Sequence, residues 1–215
     1  MVRIRSLVFL LIFSLSGCVT PPLIPETLGK SELNTGNGIL IGSISRAPGK
    51  WSYSDYTLYF RELGADEDSR QLVSVSHTNT LLDMGRHQFA DDFESEDSSG
   101  SVFASVLKPG EYEFYQYYLY KYGGTGQIFQ SAEDFSVRFT IKPGQVLYIG
   151  EFRATPLFAN NLFGMSVPAS VDWSLHFNMQ RDLELIISKF PQMDGVEPVS
   201  LYPNGCETVY SCADR

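Results

Sequence analysis

Three cysteines, three histidines and one dense run of acids are the side chains of this sequence best equipped for chemistry. His77, His87 and His176 show no i, i+4 pair, so the helical zinc-binding arrangement of two histidines is absent. His87, with Asp91 and Asp92 close along the chain, is a candidate for a metal or acid–base site, whereas His176 falls on the polar side of an expected strand. Asp91, Asp92, Glu94, Glu96 and Asp97 could hold calcium through their oxygens, but the spacing lacks the alternation and central glycine of an EF-hand. They read instead as a solvated loop. No Gly-x-Ser-x-Gly elbow occurs, so serine hydrolysis has no anchor. Gly29-Lys30-Ser31 fails as a phosphate loop, because Ile24 stands where the first glycine belongs. No cofactor is expected.

The cysteines carry more information. Arg3 and Arg5 precede an apolar run from Leu7 to Leu15, which ends in Ser16, Gly17 and Cys18. That run is too short to cross a bilayer, which needs ~20 apolar residues, and it has the layout of a secretory signal. Leu15-Ser16-Gly17-Cys18 resembles the lipobox of bacterial lipoproteins. The resemblance implies removal of residues 1–17, acylation of Cys18 and anchoring of the chain to a lipid bilayer. Val19, where an aspartate would retain the protein at the inner membrane, implies the outer membrane, with the body in the periplasm. Cys206 and Cys212, in an exported chain, are expected to form a disulfide. No further ligands for a zinc site stand in their tail.

The chain as a whole has 215 residues, 43% apolar and 19% charged, with net charge −9. Loss of residues 1–17 removes two arginines and no acid, taking the charge to −11. Such an acidic surface excludes nucleic acid as a partner and gains nothing from anionic headgroups. Residues 18–37, with Pro21, Pro22, Pro25 and several glycines, read as a tether that reaches roughly 50 Å when extended.

Residues 38–192 read as one mainly β domain, an antiparallel β-sandwich of about eight strands with one C-terminal amphipathic helix. Phe135, Val137, Phe139 and Ile141 alternate with polar residues, as do Val171, Trp173, Leu175 and Phe177. Further strands are expected at 38–45, 56–63, 71–77, 101–107, 111–120 and 145–152. Pro109-Gly110 and Pro143-Gly144 suggest two equivalent hairpins with type II turns. Leu183, Ile186, Ile187 and Phe190 form the stripe of a helix over about 179–190, capped by Asn178, stopped by Pro191 and laid over an end or edge of the sandwich. Residues 193–215 form a tail. The turn and strand motifs at 109–114 and 135–150 resemble transthyretin-like or immunoglobulin-like sandwich domains of bacterial lipoproteins, which implies a fold and no active site.

The tyrosine-rich strand is the most unusual feature. Tyr112, Phe114, Tyr118, Tyr120 and Tyr122 share one parity, while Tyr115, Tyr117 and Leu119 share the other. Tyrosine couples a rigid apolar ring to a polar tip, which suits an interface, so Tyr115 and Tyr117 are the candidate binding surface. The function expected is a non-enzymatic envelope interaction module, recruiting an envelope protein partner. The alternative is an enzyme acting on envelope polysaccharide or peptide, with Asp172 and Glu151 as paired carboxylates across a cleft.

Overall fold

The computed structural model of this protein describes residues 36–48, 53–65, 71–76, 91–121, 127–130, 135–202 and 204. The lipobox, Cys18, Cys206, Cys212, His77 and His87 lie outside the described residues.

Among the described residues, alternation of apolar and polar residues builds two sheets beside one α-helix. The first sheet contains β1 (Gly38–Arg46), β4 (Phe93–Glu94), β5 (Ser99–Leu107), β9 (Val146–Asn160), β10 (Ser166–His176) and β11 (Val199–Ser200). Its order is β10-β9-β1-β5-β4, with β11 pairing the start of β9. The second contains β2 (Asp55–Glu62), β3 (Gln71–Ser76), β6 (Gly110–Lys121), β7 (Gln127–Gln130) and β8 (Val137–Ile141), ordered β3-β2-β6-β7, with β8 also on β6. The fold is therefore mainly β, as expected, with two departures. Strands β4, β7 and β11 are additional, and the first sheet is mixed: β1 pairs antiparallel with β5 but parallel with β9. A parallel pair needs a long crossover, and here the whole second sheet lies between the two strands.

Leu40, Ile44, Phe60, Phe114, Phe152 and Trp173 fill the space between the sheets. The other side of the first sheet is also covered. Helix α1 (Met179–Lys189) and the 3-10 turn Pro191–Met193 bury Ile186 and Met193 against Ile39, Ile41, Val102, Ala104, Val146 and Tyr148. The helix thus covers a sheet face rather than an end or edge, and β1 is buried along all nine residues because it is central and covered twice.

The proline–glycine turns are not hairpins. Pro109-Gly110 carries the chain from β5 in the first sheet to β6 in the second, and Pro143-Gly144 carries it from β8 back to β9. Gly144 takes the positive φ expected of its turn (70°), whereas Gly110 does not and opens β6. The echo between them marks sheet crossings.

Two bulges decide which side chains face where. In β6, Tyr59 lies opposite Gln116 and Phe60 opposite Phe114, so Tyr115 is the extra residue. Before it the even-numbered side chains Tyr112 and Phe114 enter the core; after it the odd-numbered Tyr117 and Leu119 do. In β9, the register with β1 slips between Tyr148 and Glu151, and Gly150 sits there with φ 115°. A Cβ on Gly150 would stand 3.2 Å from the His176 carbonyl oxygen. The slip turns Glu151 and Arg153 toward the helix, on the side of Tyr148.

Candidate functional site

Beneath the first turn of α1 lies a buried polar cluster built from β1, β9 and the helix. Ser43 and Ser45 project from β1, Tyr148, Glu151 and Arg153 from β9, and Asn178, Arg181 and Asp182 from the helix start. Glu151 Oε1 accepts from Ser45 Oγ at 2.5 Å and Arg153 Nε at 3.0 Å. Its Oε2 accepts from Asn178 Nδ2 at 2.5 Å and from the Arg181 guanidinium at 3.1 Å. Asp182 Oδ2 accepts from Ser43 Oγ at 2.7 Å and the Tyr148 hydroxyl at 2.8 Å, while Oδ1 takes a two-pronged contact from Arg181. Both carboxylates are fully buried. Arg181 bridges them, and its guanidinium lies over the Phe93 ring at 3.6 Å.

The electrostatics follow from this packing. Burial pushes the Glu151 carboxyl up, but the hydrogen bonds from Arg153 and Ser45 and the two guanidinium charges outweigh it and bring it down to about 2. Burial dominates at Asp182, whose carboxyl is raised despite Ser43, Arg181 and Tyr148. Burial beside Asp182 raises the Tyr148 phenol strongly. Burial and then Arg153 lower the His176 imidazole, which is half-buried against Ser174. All four carboxylate oxygens carry two donors each, leaving no open position for substrate or ion. Chemically the cluster is a clasp holding the helix to the sheet.

The expected carboxylate pair does not assemble. Asp172 is opposite Thr155 and Glu151 opposite His176, so the two lie four residues apart along the sheet, roughly 13 Å at the ~3.3 Å strand rise. The partner of Glu151 is instead Asp182 through Arg181, a contact invisible in sequence because it depends on the Gly150 bulge. Asn178 does precede the helix, but its side chain makes no cap and reaches Glu151.

Tyr115 and Tyr117 part company. Tyr117 is 8% exposed, its ring set against Phe135 and Trp173 and its hydroxyl 3.3 Å from Ser170 Oγ, so it belongs to the core and not to a surface. Tyr115 is half-buried beneath Arg61, 4.1 Å from the guanidinium carbon to the ring centre. The outward, half-buried tyrosines are Tyr59, Tyr118 and Tyr120.

The acidic run is also divided. Asp91 pairs with Arg46, and Asp92 takes the Val102 N–H and the Lys189 ammonium. Glu94, Glu96 and Asp97 are exposed. Among the described residues no group of acids, histidines or cysteines is arranged to hold a metal ion. An open cleft of about 810 Å³ lies near the start of β1, lined by Tyr112, Arg138, Lys142, Leu147 and Tyr202 among others, with Glu111 the one carboxylate among its described lining residues.

Sequence reasoning missed the most exposed apolar feature. Strands β9 and β10 continue past the end of β1, at Arg46 opposite Ala154, as a two-stranded ribbon closing at residues 161–165. Leu162 is fully exposed, Phe163 86% and Met165 57%, with Leu157, Phe158 and Val167 also open. The available signal was compositional: no charged residue occurs from Ala154 to Val171.

No protein-family profile and no curated protein matches the chain. Among solved structures it is similar to a leucine-rich repeat protein from Bacteroides thetaiotaomicron, at 14% identity and a TM-score of 0.26. That match covers 54% of this chain, and the chain spans 13% of the length of that protein. A likeness of that size carries no argument about fold or function.

Proposed function

We propose that this protein is a lipid-anchored envelope lipoprotein, most simply placed at the outer membrane with its body in the periplasm, whose sandwich is a non-enzymatic interaction module. The observation that carries the interaction role is the β9–β10 ribbon, which holds six open apolar side chains away from the core. Contiguous exposed apolar surface on a soluble body marks a contact site. The buried acids support the same reading, since each is saturated by its own neighbours. Acylation of Cys18 confines the module to a surface and raises its effective concentration toward anything else held there.

The test replaces Phe163 with a photo-reactive phenylalanine analogue in intact cells and analyses the Cys18 peptide of the recovered chain by mass spectrometry. The reading expects an acylated Cys18 and a discrete adduct at position 163, to lipid or to protein. An unmodified Cys18 overturns the anchor. An acylated chain with no adduct overturns the interaction role.

A further inference from the structure

We propose that the tip of the β9–β10 ribbon enters the apolar layer of a lipid bilayer, giving the protein a second membrane contact beside its acyl chains. This deepens the reading above and rests on it for the anchor.

The turn pairs four of the five N–H groups of residues 161–165 internally. The Asn161 N–H donates to the Met165 carbonyl at 2.9 Å, and the Gly164 N–H to the Asn161 carbonyl at 2.9 Å. Asn161 Oδ1 accepts the N–H groups of Phe163 and Met165 at 2.9 and 3.0 Å. Gly164 supplies the positive φ (73°) that closes this loop. Most of the donors that would otherwise face solvent are therefore paired inside the turn, while Leu162, Phe163 and Met165 are exposed. Hydrocarbon supplies no hydrogen bonds, so each donor paired inside the turn lowers the cost of entering lipid.

The strands behind the tip pair from Asn160–Ser166 down to Pro156–Val171, and their outward backbone groups place this part of the ribbon at headgroup level with only the tip in hydrocarbon. Pro156 and Pro168 carry no N–H, and a bulge interrupts β10 between Pro168 and Ser170. These features discourage a second copy or an extended peptide from adding a strand at this edge. The eighteen residues from Ala154 to Val171 carry no charge in a chain of net charge −9. A protein-binding site ordinarily has a polar, partly charged rim; a segment entering lipid is penalised for each charge.

The tether permits this placement. β1 begins level with Val146, and the tip lies past Asn160, about 46 Å further along β9 at ~3.3 Å per residue. Residues 18–37 reach roughly that distance when extended. The anchor and the tip can thus meet one membrane with the sandwich lying along it. The acidic body predicts a preference for zwitterionic over anionic lipid.

The experiment uses the lipidated chain carrying Leu162→Trp, reconstituted into phosphatidylcholine vesicles with brominated acyl chains, with the spectrum of the parent chain subtracted. Insertion expects blue-shifted emission from the added tryptophan, quenched several-fold by bromine. In a Cys18→Ala chain, Leu162→Asp/Phe163→Asp is expected to lower vesicle co-sedimentation at least about tenfold. Unchanged near-ultraviolet circular dichroism verifies that the fold survives, because both side chains are exposed. Water-like, unquenched emission in an acylated chain overturns insertion and leaves the anchor standing. Protection of the tryptophan only when an envelope protein is added also overturns it, in favour of a protein partner. An unacylated Cys18 overturns the anchor alone, while the tryptophan still reports whether the tip partitions.

Discussion

The Tyr148 hydroxyl donates to Asp182 Oδ2 at 2.8 Å, tying β9 to the helix laid over it. The Tyr148 hydroxyl oxygen in turn accepts the Asn178 N–H at 3.1 Å, one of the donors that a helix start leaves without an internal partner. One phenol therefore serves both a buried carboxylate and the helix entry.

Tyr148→Phe removes this link while keeping the ring. It leaves Asp182 and the Asn178 N–H each one partner short in a buried setting, at an expected cost of about 1–3 kcal/mol. Urea unfolding monitored by circular dichroism measures it, and an unchanged midpoint would show that the bonds contribute nothing net.

Glu151 makes the fold sensitive to acid. Its carboxyl is held near 2, below the ordinary 4.5, so the folded state binds the proton more weakly than the unfolded chain. The stabilisation is present above about pH 4.5 and is lost as pH falls toward 2, a difference on the order of 3 kcal/mol. Asp182 works in the opposite sense, because its raised carboxyl protonates more readily when folded. Glu151→Gln is expected to be less stable at pH 7 and to show a flatter stability profile between pH 4.5 and 2. A profile as steep as that of the parent chain would assign the acid sensitivity elsewhere.

Gly150 and Gly64 separate two costs. Both have positive φ, 115° and 83°, but a Cβ at Gly64 meets nothing within 4 Å, whereas at Gly150 it approaches the His176 carbonyl oxygen. Gly64→Ala is expected to cost about 1 kcal/mol from backbone strain alone. Gly150→Ala should cost more and also disturb Glu151, which the bulge positions. Thermal unfolding of the two variants makes the comparison, and equal melting temperatures would remove the special role of the bulge.

Tyr115 and Tyr117 are expected to differ sharply. Tyr117→Ala opens a cavity beside Phe135 and Trp173 and should cost about 3–5 kcal/mol. Tyr115→Ala loses mainly the contact with Arg61, worth about 0.5–1 kcal/mol. Similar losses at both positions would contradict the bulge assigned to Tyr115.

What could be read from sequence was whatever burial on one face had written into it. Val137–Ile141 and Val171–Leu175 alternate cleanly because one side is core and the other is not. The ribbon at 155–170 was invisible because both of its faces are largely open, which leaves no alternation to detect. The tyrosine parity misled because period-two counting assumes an unbroken ladder, and the extra residue at Tyr115 reverses it. The Glu151–Arg181–Asp182 arrangement joins a strand to a helix across a register slip, and nothing local encodes it. The helix stripe was legible, but not the face it covers, since amphipathicity states that a partner exists without naming it.

The parallel pairing of β1 with β9 has a consequence for the life of the chain before it is folded. Val146 follows its partner Ile39 by 107 positions, and β11, still later, pairs with the opposite edge of β9. A chain emerging amino-terminus first must hold the apolar β1 without its central neighbour until most of the sequence is out. Contacts so distant in sequence close slowly. The first sheet therefore cannot close until β9, in the carboxyl-terminal third, has been made, so folding of this layer follows synthesis of most of the chain rather than accompanying it.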